Sequence, residues 1–123
     1  MTNYNLEESE LLKWQLLLTF IFIGTLFVSL TITYNEILKM EDKDPLYNED
    51  VELAILKINR FIALVISLGF LLINVRDKNL KEFYNQGNLK DADKQIVAGI
   101  FTVISTIIVL GTAATGSTEN PED

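Results

Sequence analysis

The sequence predicts an all-α integral membrane protein with three transmembrane helices and short polar loops. Two observations carry that expectation. The first is where charge is missing. The chain of 123 residues holds ten Lys and Arg and seventeen Asp and Glu, yet three stretches carry none: 14–35, 61–75 and 95–118, of 22, 15 and 24 residues. The second is how the apolar residues are arranged. Phe20-Ile21-Phe22-Ile23 and Ile107-Ile108-Val109-Leu110 point in every direction around a helix. A helix packed in a soluble bundle keeps a polar face, whereas an apolar run of about 18 residues or more reads as a span.

The first span is set at 14–35. Residues 16–32 include twelve Leu, Ile, Phe or Val side chains. At about 0.3 to 0.6 kcal/mol each, their transfer from water to lipid gains roughly 4 to 7 kcal/mol before polar losses. Trp14 and Tyr34 bracket this run. Twenty residues of helix cover about 30 Å, the thickness of a hydrocarbon core, so the two aromatics are expected as interfacial anchors. The acids Glu7, Glu8 and Glu10 ahead of so long an apolar run do not fit a signal peptide.

The second span is short as a charge-free run, only about 22 Å of helix. Extending it back to 53–75 restores the length and admits Lys57 and Arg60, whose long stems can snorkel to the headgroups. The third span is set at 95–115. It contains ten Ile, Leu, Val or Phe in residues 96–114 and is followed by a polar tail at 116–123, which is expected to be mobile.

Several capping residues punctuate the connections. Asn5, with Glu8 three residues on, reads as a helix start. Asp44-Pro45 is expected to break the first helix, which reaches about residue 40. Asn48 or Asp50 caps the second helix, which continues past Val75 with Asp77 and Lys81 at i, i+4. Gly87 is expected as its stop, and Asn88 or Asp91 as the cap of the third.

Orientation follows Lys and Arg counts. The N-terminal segment and second loop share a side and hold six: Lys13, Arg76, Lys78, Lys81, Lys90 and Lys94. The first loop and neighbouring helix end hold four: Lys39, Lys43, Lys57 and Arg60. The expectation is an N-terminus inside and a C-terminus outside.

Small and polar residues recur on the spans: Thr25, Ser29 and Thr33; Asn59, Ala63, Ser67 and Asn74; Gly99, Thr102 and Thr106. Lipid offers these side chains no hydrogen bonds, so they seek another helix or their own backbone. The plain reading is that they pack the three helices together. A sharper reading is a polar pore or an oligomer seam. On the plain reading, Ser29→Leu or Thr102→Leu should weaken helix association more than Leu18→Ala.

Other functions find less support. No Asp, Glu, Lys or Arg lies mid-span, as proton relays and coupled transporters need. The acidic loop 36–52 does not follow the EF-hand register, since Tyr47 falls where Gly is required and Leu53 where Glu is. It reads as a solvated surface, with a weak cation site or a basic partner as the alternative. The chain lacks Cys and His, which excludes thiolate, imidazole and Cys/His zinc chemistry, and its charge of −7 argues against nucleic acid. The expectation is a protein that is not an enzyme and binds no cofactor or metal. Its partners are the bilayer and a membrane-protein partner or a second copy of itself.

The strings Ile58-Asn59-Arg60-Phe61-Ile62 and Gln95-Ile96-Val97-Ala98-Gly99-Ile100, within this three-span layout, resemble small uncharacterised membrane proteins of AT-rich Gram-positive bacteria. That resemblance implies a bacterial cytoplasmic membrane and supplies no site residues. Length and span count are also similar to those of three-helix phage holins, although those end in a basic tail and this chain in Glu119, Glu122 and Asp123. The functional expectation is a structural or accessory membrane protein. A holin-like or small-channel pore built by oligomers is the alternative.

Overall fold

Three long helices, α1 (Asn3–Met40), α2 (Glu49–Tyr84) and α3 (Leu89–Gly116), make up the fold, seen in a computed structural model that describes residues 3–116. Each is long and apolar enough to cross a membrane, and no strand occurs among the described residues. At 1.5 Å per residue, the 38 residues of α1 extend about 57 Å, well beyond a hydrocarbon core of about 30 Å. Its ends therefore project past the lipid tails. The expected tail lies outside the described residues from 117 onward.

The helix ends follow from local chemistry. Asn48 begins α2, its side-chain oxygen accepting from the Val51 N–H at 2.9 Å. Asn88 does the same for α3, accepting from the N–H groups of Lys90 and Asp91. Each satisfies donors that the first turn leaves without helical partners. At α1 the structure departs from expectation. The helix is already formed at Asn3, so Asn5 lies inside its first turn rather than capping it.

α1 stops at Met40, as the sequence suggests, but both helix stops are made by residues other than those expected. α1 ends before Asp44-Pro45, and Asp42 just beyond its last residue takes a left-handed conformation (φ 57°). The Lys43 N–H donates to the Leu38 carbonyl and the Asp42 N–H to the Lys39 carbonyl. α2 ends in the same pattern at Asn85 (φ 56°), with Gln86 N–H donating to Lys81 and Asn85 N–H to Glu82. Both are Schellman ends built without Gly at the left-handed position, which Asp and Asn tolerate better than other side chains. Gly87, also at positive φ (72°), continues the turn after the helix has stopped.

α2 occupies the middle. It packs along both α1 and α3, whereas no Cα of α1 lies within 8 Å of one in α3 among the described residues. Small residues set the two approaches. A Cβ on Gly69 would meet Leu18 Cδ1 of α1 at 2.8 Å, and one on Gly99 would meet Leu71 Cδ1 of α2 at 3.1 Å. A side chain at either position would have to displace the end of a leucine or spread the seam.

The burial pattern decides the solvent. Only 6%, 17% and 6% of the most apolar 18-residue windows of α1, α2 and α3 are buried inside the protein. Phe20, Leu30, Leu72, Phe101 and Ile108 are all exposed by more than three-fifths. The buried residues include more polar ones (Thr25, Asn35, Glu52, Asn59, Ser67, Asp77) than apolar ones (Leu11, Ile32, Leu38, Ile66, Ala92). A soluble domain does the opposite, and its surface does not carry apolar patches of this extent. The protein is a small membrane protein whose outer surface is made for lipid.

Gly69→Val should separate α1 from α2 and lower stability in bilayers, while Gly24→Ala, where a Cβ meets nothing within 4 Å, should be neutral. Adding Leu18→Ala to Gly69→Val should restore much of the loss. Reversible unfolding in bicelles checks all three.

Candidate functional site: polar clasps between helices

The buried polar residues form a series of clasps along the two seams of α2. Near the middle of the α1–α2 seam, the Asn59 amide donates to the Thr25 carbonyl at 3.2 Å and to Ser29 Oγ at 3.1 Å. The Thr25 hydroxyl turns back to the Phe22 carbonyl at 2.6 Å. One amide thus ties two helices through side chain and backbone together.

The α2–α3 seam has two lighter hydrogen-bonded ties, and an ion pair between Lys78 and Asp93 at its end. Ser67 Oγ and Thr106 Oγ1 lie 3.1 Å apart, while each also donates to its own backbone one turn earlier, Ser67 to Leu64 and Thr106 to Val103. Hydroxyls have one proton each, so the shared contact alternates with the backbone bonds. Nearer the start of α3, the Asn74 amide donates to the Gln95 carbonyl at 3.4 Å, beside the close approach at Gly99.

The densest clasp joins the end of α1 to the loop and the start of α2. Asn35 is fully buried. Its Oδ1 accepts from the Tyr47 N–H at 3.0 Å, and its Nδ2 donates to the Tyr47 carbonyl and to Glu52 Oε2. Asn35 therefore replaces a strand partner for Tyr47, satisfying both of its backbone groups. The Tyr47 hydroxyl reaches Thr31 Oγ1 at 2.9 Å. Lys39 bridges Glu36 and Glu52 at 3.4 and 3.3 Å.

The electrostatics of this clasp are shared among three charged groups. Burial opposes ionisation of Glu52, but hydrogen bonds from Glu36, Asn35 and Lys39 outweigh it and hold the carboxyl below its ordinary range. The hydrogen bond to Glu52, together with burial, raises Glu36. Burial also opposes the Lys39 ammonium, and its carboxylate partners overcome that and raise it. Glu52 is the anion of the cluster and Lys39 its counter-charge. The acidic loop is accordingly not a fully solvated surface: Glu52 belongs to α2 and is buried in an ion pair.

The residues singled out from sequence fall into three groups. Thr25, Ser29, Asn59, Ser67, Asn74, Gly99 and Thr106 meet across the helix seams, and Ala63 is half-buried. Thr33 and Thr102 face outward, and the Thr102 hydroxyl bonds its own helix at the Ala98 carbonyl. The expected effect of Thr102→Leu on packing within the chain therefore has no contact behind it. Trp14 and Tyr34 are exposed on α1, while Lys57 and Arg60 are half-buried on α2.

Sequence reading missed Asn35, Tyr47 and Glu52 as a unit. Their spacing of 12 and 5 residues spans a loop, and no periodic signal links them. Among the described residues, no group of three or more Asp or Glu is arranged to hold a metal ion. Hydrogen bonds within the spans, and ion pairs at the ends between Lys39 and Glu52 and between Lys78 and Asp93, hold α1 and α3 on α2. No protein family, curated protein or solved structure matches this chain.

Asn59→Leu should weaken the α1–α2 seam by about 0.6 to 1.7 kcal/mol, the range of interhelical hydrogen bonds in bilayers. Asn35→Leu should cost more, about 1 to 3 kcal/mol, because it strands the Tyr47 backbone. Thr102→Leu should leave stability unchanged. The same unfolding measurement ranks the three.

Proposed function

We propose that this protein is a non-catalytic accessory or structural membrane protein, which offers its lipid-facing helix surfaces to a second copy or to another membrane protein. The observation that carries this reading is the open arrangement. α1 and α3 each pack on α2 alone, so most of their apolar surface remains free for a further helix. Gly24, with nothing near the position of a Cβ, and the exposed Thr102 supply outward places where another backbone can approach closely.

The inward direction of the polar groups supports the same reading over a pore. The mid-span amide and hydroxyls of Asn59, Ser29, Ser67 and Thr106 are already engaged within the chain. A polar lumen would need such groups on an outer face. The six-to-four distribution of Lys and Arg supports an N-terminus on the inner side, and the resemblance noted above supports a bacterial cytoplasmic membrane.

Reconstitution in vesicles tests the proposal. The full chain should leave vesicles tight to a small dye and to protons. Gly24→Leu and Thr102→Leu should lower association, read by energy transfer between labelled copies or with a co-reconstituted partner, without altering unfolding. Dye or ion release that grows with protein concentration would instead establish the oligomeric pore.

A further inference from the structure

At the opposite end from the Asn35 clasp, the first turns of α1 lie against the last turns of α2. The Tyr4 and Tyr84 rings meet edge-on with centroids 5.6 Å apart, and Phe83 packs on Tyr84 at 4.8 Å. Beside them Glu8 of α1 and Asp77 of α2 come together at one cavity, each burying a carboxyl oxygen that meets no donor. A cavity of about 230 Å³ opens where the three helices converge, lined by Glu8, Gln15, Asn74, Asp77, Lys81 and Gln95 among others.

This pair is incomplete as two carboxylates. Asp77 is only 8% exposed. Its Oδ2 accepts from Lys81 Nζ at 2.8 Å, but its Oδ1 is buried without a donor, as is Glu8 Oε2. A buried acceptor without a donor is costly, and two ionised carboxylates this close repel. Tyr4 and Glu8 face the site from α1 and Asp77 and Lys81 from α2, while α3 lines the cavity with the uncharged Gln95. Two acids against one lysine leave a charge of −1, which a single proton cancels.

We propose that Glu8 and Asp77 form a proton-binding site, in which one proton held between the two carboxyls clasps the N-terminal turns of α1 onto the end of α2. With the proton bound, Glu8 donates to Asp77 and Lys81 balances the remaining carboxylate. With the proton gone, like charges push the segment away and the cavity opens. This inference stands on the carboxyl pair alone and does not depend on the accessory role proposed above.

The direction of the pH response follows. Burial, then the hydrogen bond and charge of Asp77, push Glu8 from 4.5 up to about 7. The folded site therefore binds its proton more tightly than the free chain does. The clasp is at full strength below about pH 4.5 and is lost as pH rises through about 7.

The test uses the full chain in lipid nanodiscs, with spin labels on cysteines introduced at the exposed positions Leu6 and Asn79, in a chain without native Cys. The distance should lengthen with a midpoint near pH 7. Glu8→Gln, which keeps a donor in place at every pH, should hold the short distance throughout. Lys81→Gln should move the midpoint upward, and it keeps the test decisive if Glu8→Gln does not assemble. An infrared carboxyl band with the same midpoint, absent in Glu8→Gln, should accompany the change. A distance independent of pH in the unsubstituted chain would overturn the proposal. So would a midpoint that follows sodium at constant ionic strength, which would assign the pair to a metal cation.

Discussion

Hydrocarbon supplies no hydrogen-bond partner, and that one constraint orders the rest of this structure. A polar group carried into the bilayer must be satisfied by its own backbone or by another helix. Thr19, Thr31 and Thr112 take the first course, each donating to a carbonyl one turn earlier. Asn59 takes the second, Ser67 and Thr106 take both, and these residues define the seams. The apolar side chains, comfortable in lipid, are left outside. Polar interior and apolar exterior are two consequences of the same rule.

The seams differ in strength for a reason visible in their side chains. An amide with two donors reaches two acceptors on α1 at once, whereas the hydroxyls joining α2 to α3 divide their protons between a partner and their own helix. At both ends of the α1–α2 hairpin the membrane gives way to headgroups and water. There the neutral clasps yield to carboxyl pairs with a lysine: Glu36, Glu52 and Lys39 at one end, Glu8, Asp77 and Lys81 at the other. The paired acids and lysines gather at these ends, where headgroups and water lower the cost of carrying charge.

Much of the fold was legible before any coordinates because hydropathy reports the solvent directly. Charge-free length located three spans, and two helix starts were narrowed to Asn48 or Asp50 and to Asn88 or Asp91, of which Asn48 and Asn88 cap. The stops at Asp42 and Asn85 were not legible, since a left-handed Asp or Asn looks like any polar loop residue, and Gly87 and Pro45 are stronger signals lying close by. Nor could the small-residue stripes tell which helices meet. Thr102 shares its spacing with Thr106, yet only Thr106 faces α2. The separation of α1 from α3, the hold of Asn35 on Tyr47, and the meeting of Glu8 with Asp77 across 69 positions are tertiary facts. Residue type says what a group needs, and neighbours decide who provides it.

The claim on which this account rests is that the exposed apolar shell faces lipid tails. Single spin labels at Phe20, Leu72 and Ile108, on the three helices in turn, measure it in vesicles through collisions with oxygen, which dissolves in lipid, and with a polar nickel chelate, which does not. The account requires high oxygen and low nickel accessibility at all three positions. Free access of the nickel chelate to any one of them would place that helix in water and contradict it.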